Sequence, residues 1–219
     1  MKRFVTRALI VMASILGIVF AQVPPASAQA SDELASNLAA LWTTVLETPA
    51  SQNPFGKGGP QFACWDLDDS TVAPFAGGVE FSCKVKSDTK LFVAGFSTEC
   101  STFDNDCGRE DDPPGCDGTT APELLRCARE LDSDKAPIVT LDGSPVSLTE
   151  VATSPLNIVL PKHNVFGEPK GTQGLSVAHG FVALLGPLAP GTHTIMIKDN
   201  NVPPTFPENT TTIVVTPGH

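Results

Sequence analysis

The chain has 219 residues, a net charge of −10, and six cysteines but no Tyr. So acidic a chain is a poor partner for nucleic acid or an anionic membrane, because both bind clustered Lys and Arg. Its length suits one domain with a full hydrophobic core.

The first residues have the pattern of a secretory signal peptide. Three basic residues precede an apolar stretch at 8–21, which is shorter than the roughly 20 residues that a membrane-spanning helix needs. Small residues then allow cleavage after Ala28 or Ala30. We therefore expect a signal peptide at 1–30 and a single secreted domain at 31–219, extracellular or periplasmic, with no membrane attachment after cleavage. An uncleaved membrane anchor is the alternative.

Cleavage would make the chain still more acidic. It would leave 11 basic against 24 acidic residues, a net charge of −13, because the three charged residues in 1–30 are all basic. A solvated acidic surface that keeps a secreted protein soluble is the plainest reason for this charge.

A helix is predicted at the start of the secreted domain, from Ser31 to Thr48. Ser31 is a suitable helix cap, and Pro49 cannot continue the helix. Apolar residues recur at helical spacing between them, at Leu34, Leu38, Leu41, Trp42 and Val45. Such a helix is amphipathic and should lie against a sheet.

Short runs of alternating or continuous apolar residues predict strands over most of the remaining chain. The predicted strands are 62–67, 79–85, 90–97, 138–141, 146–148, 156–160, 181–185, 192–197 and 211–216. Asp142-Gly143 predicts a tight hairpin turn. Thr120 and Glu123 form a capping box that opens a short helix ending near Leu131. The predicted fold is mainly β, a β-sandwich of jelly-roll or Ig-like type with an N-terminal amphipathic helix and one short helix in a disulfide-tied loop.

The apolar stretch at 174–198 is predicted to be the centre of this fold. The run Phe181–Leu185 suits a strand that is covered on both faces, and the following strand alternates around Ile195. Pro190-Gly191 suits a turn between the two strands. We expect them to form a hairpin around which the rest of the domain packs.

Six cysteines in an exported chain indicate three disulfides, and fifteen connectivities exist. The pairs that we expect are Cys64–Cys83, Cys107–Cys116 and Cys100–Cys127. The first pair lies on neighbouring predicted strands and can meet across a hairpin. The second closes an acidic loop locally, and the third ties the short helix to a strand. A zinc site is disfavoured because no Cys-x-x-Cys spacing is present.

Several motifs resemble those of an uncharacterised family of exported bacterial and archaeal proteins with a disulfide-containing β domain. The motifs are Cys64, KVKSDTKLFV after Cys83, Glu99-Cys100-Ser101, Leu125-Arg126-Cys127-Ala128, NVFG at Asn164 and PGTHTI at Pro190. The resemblance covers most of the chain from Trp42 onward. It implies that four cysteines are shared, which fits the Cys64–Cys83 and Cys100–Cys127 pairs. It implies no activity.

The acidic loop at 102–119 is the densest group of side-chain oxygens in the sequence. Calcium takes six to eight oxygen ligands, so the loop could hold this cation. The candidate ligands are Asp104, Asp106, Asp111 and Asp112. The spacing differs from an EF-hand loop, and a solvated surface loop is the alternative.

Catalytic motifs are few in this sequence. It contains no nucleophile elbow, phosphate loop, dinucleotide fingerprint or His-Glu-x-x-His motif. The weak catalytic candidates are Glu99, His163 and His179, which would suit acid–base or metal-assisted chemistry if they converge. His193 is expected to face the core and to bond a backbone carbonyl.

Two functions follow as hypotheses. One is a secreted, disulfide-stabilised binding or interaction domain for an extracellular ligand or protein, with no cofactor. The other is a small exported hydrolase with a carboxylate/His site. A cleft that joins Glu99 to a His would favour the hydrolase, and scattered side chains would favour the binding domain.

Overall fold

A computed structural model describes residues 26–60, 62–76, 81–103, 118–199 and 209–218. Within these ranges the protein is mainly β, with two sheets packed together and two α-helices. The helices are α1 (Ala26–Glu47) and α2 (Ala121–Asp132), with a short 3-10 helix at Ala50–Gln52. The predicted sandwich with two helices is therefore confirmed.

The strands are named in chain order. They are β1 (Phe62–Asp68), β2 (Thr71–Ala76), β3 (Phe81–Lys86), β4 (Lys90–Ser101), β5 (Pro137–Leu141), β6 (Ser144–Val146), β7 (Thr149–Ala152), β8 (Leu156–Val159), β9 (Gln173–Leu185), β10 (Gly191–Asp199) and β11 (Asn209–Thr216). Sheet 1 has the order β1-β2-β4-β9-β7, with β8 also beside β9. Sheet 2 has the order β3-β11-β10-β5-β6. Both sheets are mixed, because β2 is parallel to β4 and β3 is parallel to β11.

Helix α1 lies on the outer face of sheet 1. Its predicted apolar stripe is buried there, against Phe92 of β4 and Val182 of β9 among others. The helix ends at Glu47, as Pro49 requires, but it begins at Ala26 and not at Ser31. Ser31 is therefore inside the helix and does not cap it. The preceding ASAQA contains three Ala, the residue with the highest helix propensity, so the helix extends upstream.

The opposite face of sheet 1 packs on sheet 2. Leu91 and Val93 of β4 contact a buried cluster from sheet 2 that includes Ile195 and Ile213. Helix α2 covers the same face of sheet 1 farther along β4 and β9, against Cys100 and Val177. Sheet 1 is therefore the middle layer, with α1 on one side and sheet 2 and α2 on the other.

The predicted central hairpin is wrong, although both of its strands exist. β9 pairs with β4, β7 and β8 in sheet 1, whereas β10 pairs with β5 and β11 in sheet 2. The segment 186–190 therefore crosses between the sheets. Each strand carries enough apolar residues to be central in its own sheet, and the alternation of a strand does not identify its partner. Phe181–Leu185 lies in β9, where Val182 and Ala183 are buried.

The predicted hairpin turn at Asp142 and the predicted capping box at Thr120 are confirmed, although the second strand of the hairpin is Ser144–Val146 and not 146–148. β5 and β6 form a hairpin, and Asp142 and Gly143 have φ values of 50° and 78°, as a type I′ turn requires. At the start of α2, the Glu123 carboxylate accepts hydrogen bonds from the backbone N–H groups of Thr119 and Thr120. The bond from Thr120, the residue that caps the helix, is the Glu123 half of the capping box.

Two of the predicted disulfides are present, and they tie the layers together. Cys100–Cys127 joins β4 to α2, as expected. Cys64–Cys83 also forms, but it does not cross a hairpin, because β1 lies in sheet 1 and β3 in sheet 2. β2, which the sequence reading missed, follows β1 and fills its edge. Cys107 and Cys116 lie outside the described residues.

No helix within the described ranges is both long and apolar enough to span a membrane.

Candidate functional site

His179 is held between two carboxylates. Its Nδ1 lies 2.8 Å from Asp132 Oδ2, and its Nε2 lies 3.0 Å from Glu150 Oε1. β9 supplies His179, the last residue of α2 supplies Asp132, and β7 supplies Glu150. The His179 and Asp132 side chains are 4% and 1% exposed, whereas Glu150 is 60% exposed. We call this group the His179 clamp.

The electrostatics of the His179 clamp depend on burial. Burial raises the pKa of the Asp132 carboxyl above its usual value, and the hydrogen bond to His179 opposes that rise. Thr98 Oγ1 lies 3.5 Å from the same carboxylate and donates to the Ala128 carbonyl at 2.8 Å. Removing one member would leave a buried polar group without its partner, which is costly.

The clamp has one feature of a catalytic histidine and lacks another. A carboxylate on Nδ1 orients the ring as in an acid–base site. However, Nε2, the atom that would face a substrate, is occupied by Glu150. No Ser, Thr or Cys nucleophile contacts the ring among the contacts of the described residues. The arrangement is suited to holding α2, β7 and β9 together.

The structure does not bring Glu99, His163 and His179 together. Glu99 follows Thr98 on β4, and Thr98 is the register partner of His179. Because successive strand residues point to opposite faces, Glu99 points to the α1 side, where it accepts a hydrogen bond from Ser176. His163 is exposed after β8, and its carbonyl accepts from the Ala50 N–H at 2.7 Å.

His193 makes the backbone contact that the sequence predicted. Its Nε2 lies 2.9 Å from the Ala189 carbonyl, and its Nδ1 lies 2.7 Å from Asp142 Oδ2. The hydrogen bond with Asp142 raises the pKa of His193, and the same bond lowers the pKa of Asp142. Asp142 also accepts from the Thr194 N–H at 2.8 Å. This pair fixes the β5–β6 turn to β10.

The described residues hold no group of three or more His, Cys, Asp or Glu side chains that could bind a metal ion. The calcium candidates Asp104, Asp106, Asp111 and Asp112 lie outside those residues.

A groove of about 490 Å³ opens between the first turns of α1 and the edges of the two sheets. We call it the α1 groove. Its apolar wall is formed by Leu34, Val146, Leu184 and Leu185. Its polar wall is formed by Glu33, Ser147 and Thr149. Ligand sites in proteins have volumes of roughly 300–1,000 Å³, so the α1 groove has the size of a ligand site, and its lining combines apolar and polar groups.

Sequence reasoning identified His179 and His193 but missed their partners. Asp132, Glu150 and Asp142 are 47, 29 and 51 residues from the histidines that they contact. Of these three carboxylates, only Asp142 was part of a sequence motif, the Asp142-Gly143 turn. No sequence pattern indicated the α1 groove, because its walls come from α1, β9 and the β6–β7 connection.

Comparison with models of known protein families, with curated proteins and with solved structures gives no match to this chain.

Proposed function

We propose that this protein is an exported binding domain that holds an apolar ligand segment in the α1 groove. Export is supported by the signal-peptide pattern at 1–30 and by two disulfides, which persist in oxidising compartments. The resemblance to exported bacterial and archaeal proteins supports the same location.

The α1 groove carries this proposal. It places apolar side chains of α1 and β9 beside the hydroxyl groups of Ser147 and Thr149. Apolar walls supply affinity by removing ligand surface from water, and a few polar groups fix its orientation. The hydrolase alternative is less well supported, because its three candidate residues do not converge and both ring nitrogens of His179 contact carboxylates.

The test uses the disulfide-bonded protein and a neutral, capped tetrapeptide that contains three Leu residues. We expect the peptide to shift the amide NMR signals of Glu33, Ser147 and Thr149. Ser147→Trp should fill the groove and weaken binding at least tenfold. Ser154→Trp is the matched control, because Ser154 is also exposed and lies outside the groove lining. Unshifted signals at the groove, or equal affinity of both Trp variants, would contradict the proposal.

A further inference from the structure

We propose that the α1 groove recognises an extended peptide segment in which a basic residue stands between apolar residues. This inference rests on the proposed binding function and names the chemistry of its ligand. Three features carry it: the charges at the groove rim, the overall charge of the chain, and the free strand edges beside the groove.

The residues that line the groove include one charged side chain, the carboxylate of Glu33. Glu33 lines the groove, and its Oε1 lies 2.8 Å from Lys90 Nζ. The hydrogen bond to Glu33 raises the pKa of Lys90, and the nearby charge of Asp68 adds to this effect. The negative charge of Asp68 therefore also acts on the Lys90 ammonium group, although Lys90 bonds only Glu33 of the two. If a ligand cation contacts Glu33, Lys90 still has Asp68 nearby.

A ligand cation can also replace Lys90 in the Glu33–Lys90 ion pair. The two side chains are 51% and 40% exposed, and exposed ion pairs contribute little because water screens them. A cation on a bound ligand can therefore take over or share the Glu33 carboxylate at low cost. The net charge of −10, or −13 after the expected cleavage, would attract a basic ligand from a distance and repel an acidic one.

The strand edges beside the groove favour a peptide. Within the described residues, β6 pairs only with β5 and β7 pairs only with β9. Val146, Ser147 and Thr149 line the groove at the connection between these two edge strands. Edge strands present backbone N–H and C=O groups that an extended peptide can bond, while pockets take its alternate side chains.

The experiment measures fluorescence anisotropy with four labelled, capped peptides of equal length. Their repeating pairs are Leu-Lys, Leu-Gln, Leu-Glu and Ser-Lys. We expect the Leu-Lys peptide to bind most tightly and to lose affinity as salt is added. Glu33→Gln should weaken binding of this peptide by about twofold to fivefold, the size of effect expected of one partly exposed charge pair, and leave binding of the Leu-Gln peptide unchanged.

Asp66→Asn is the matched control, since it removes the same charge from an exposed residue of β1, the opposite edge of sheet 1. Equal binding of the Leu-Lys and Leu-Gln peptides, with no effect of Glu33→Gln, would overturn the basic-ligand inference and leave the binding function standing. If none of the Leu-containing peptides binds, both fail. The inference is also overturned if the Ser-Lys peptide binds as tightly as the Leu-Lys peptide, or if Glu33→Gln and Asp66→Asn weaken binding equally. Either result would mean that an acidic protein attracts any basic peptide.

Discussion

His179 has a carboxylate at each ring nitrogen, but the two contacts differ in their surroundings. Asp132 is buried with the ring, whereas most of the Glu150 side chain is exposed. Water can replace the Glu150 carboxylate at Nε2, but it cannot readily replace Asp132 at Nδ1. Loss of Asp132 should therefore lower the free energy of unfolding more than loss of Glu150.

We expect Asp132→Ala to lower the free energy of unfolding by about 2–4 kcal/mol, because it leaves a buried imidazole nitrogen of His179 without its partner. Glu150→Ala should cost clearly less. Denaturant unfolding monitored by circular dichroism measures both values. Asp134→Ala is the control, since Asp134 follows α2 and is exposed beside Lys135, and it should change little. Equal losses for Asp132→Ala and Asp134→Ala would show that the His179 clamp does not stabilise the fold.

At the scale of elements, the joint between the β5–β6 turn and β10 depends on pH. The pKa of His193 is raised above its ordinary 6.5, so its stabilising effect is complete below pH 6.5 and is lost as pH rises through the folded-state value. The pKa of Asp142 is lowered below its ordinary 3.8, so its effect is present above pH 3.8 and is lost as pH falls through the lowered value. The pair therefore stabilises the joint most between these two limits.

We predict that His193→Gln destabilises the protein more at pH 5.5 than at pH 8.5, because the charge on His193 strengthens its bond to Asp142 only when the ring is protonated. Unfolding free energies at the two pH values, measured for variant and parent, give this difference. His163→Asn is the control, because His163 is exposed and its φ of 57° suits Asn. A loss for His193→Gln that is the same at both pH values would contradict the prediction.

The elements that the sequence predicted correctly carry local signals. The stripe from Leu34 to Val45 has helical spacing, the capping box at Thr120 opens α2, and Asp142-Gly143 bends the β5–β6 hairpin. β2 was missed because Pro74 interrupts a short apolar run, and β7 because four residues give little periodicity. Both strands were missed because their local patterns are weak. The β9–β10 hairpin was predicted wrongly for another reason: a pattern shows that a run of residues can be a strand, but its partners are chosen by packing.

The pairing of β9 and β10 with different sheets changes how the whole molecule is held together. The crossing at 186–190 links the sheets near one end, and Cys64–Cys83 links β1 of sheet 1 to β3 of sheet 2. The His179 clamp was beyond sequence reasoning for the same reason, because Asp132 and Glu150 reach His179 only after α2 and β7 have packed on β9. The pairing of the cysteines in both described disulfides could be predicted from the sequence, but the layers that the Cys64–Cys83 disulfide joins could not.

The two described disulfides should therefore contribute similarly to stability but act on different parts of the molecule. They close loops of 19 and 27 residues, for which loop-closure entropy gives about 3 kcal/mol each. Cys64→Ala/Cys83→Ala removes a link between the sheets, whereas Cys100→Ala/Cys127→Ala frees α2 from β4. Asp132 still holds the end of α2 through His179. Loss of Cys100–Cys127 should therefore let α2 open locally while both sheets stay folded.

Native-state hydrogen exchange separates these two effects, because it reports the free energy of opening for each amide. In Cys100→Ala/Cys127→Ala we expect amides of α2 to lose more protection than those of β10 and β11. In Cys64→Ala/Cys83→Ala we expect a more even loss across both sheets. Adding Asp132→Ala to the first variant should lower the protection of α2 further, because only its packing on β9 and the Thr98–Ala128 hydrogen bond then hold it to sheet 1. Uniform loss of protection in both cysteine variants would mean that α2 and the sheets unfold as one unit, whichever link is broken.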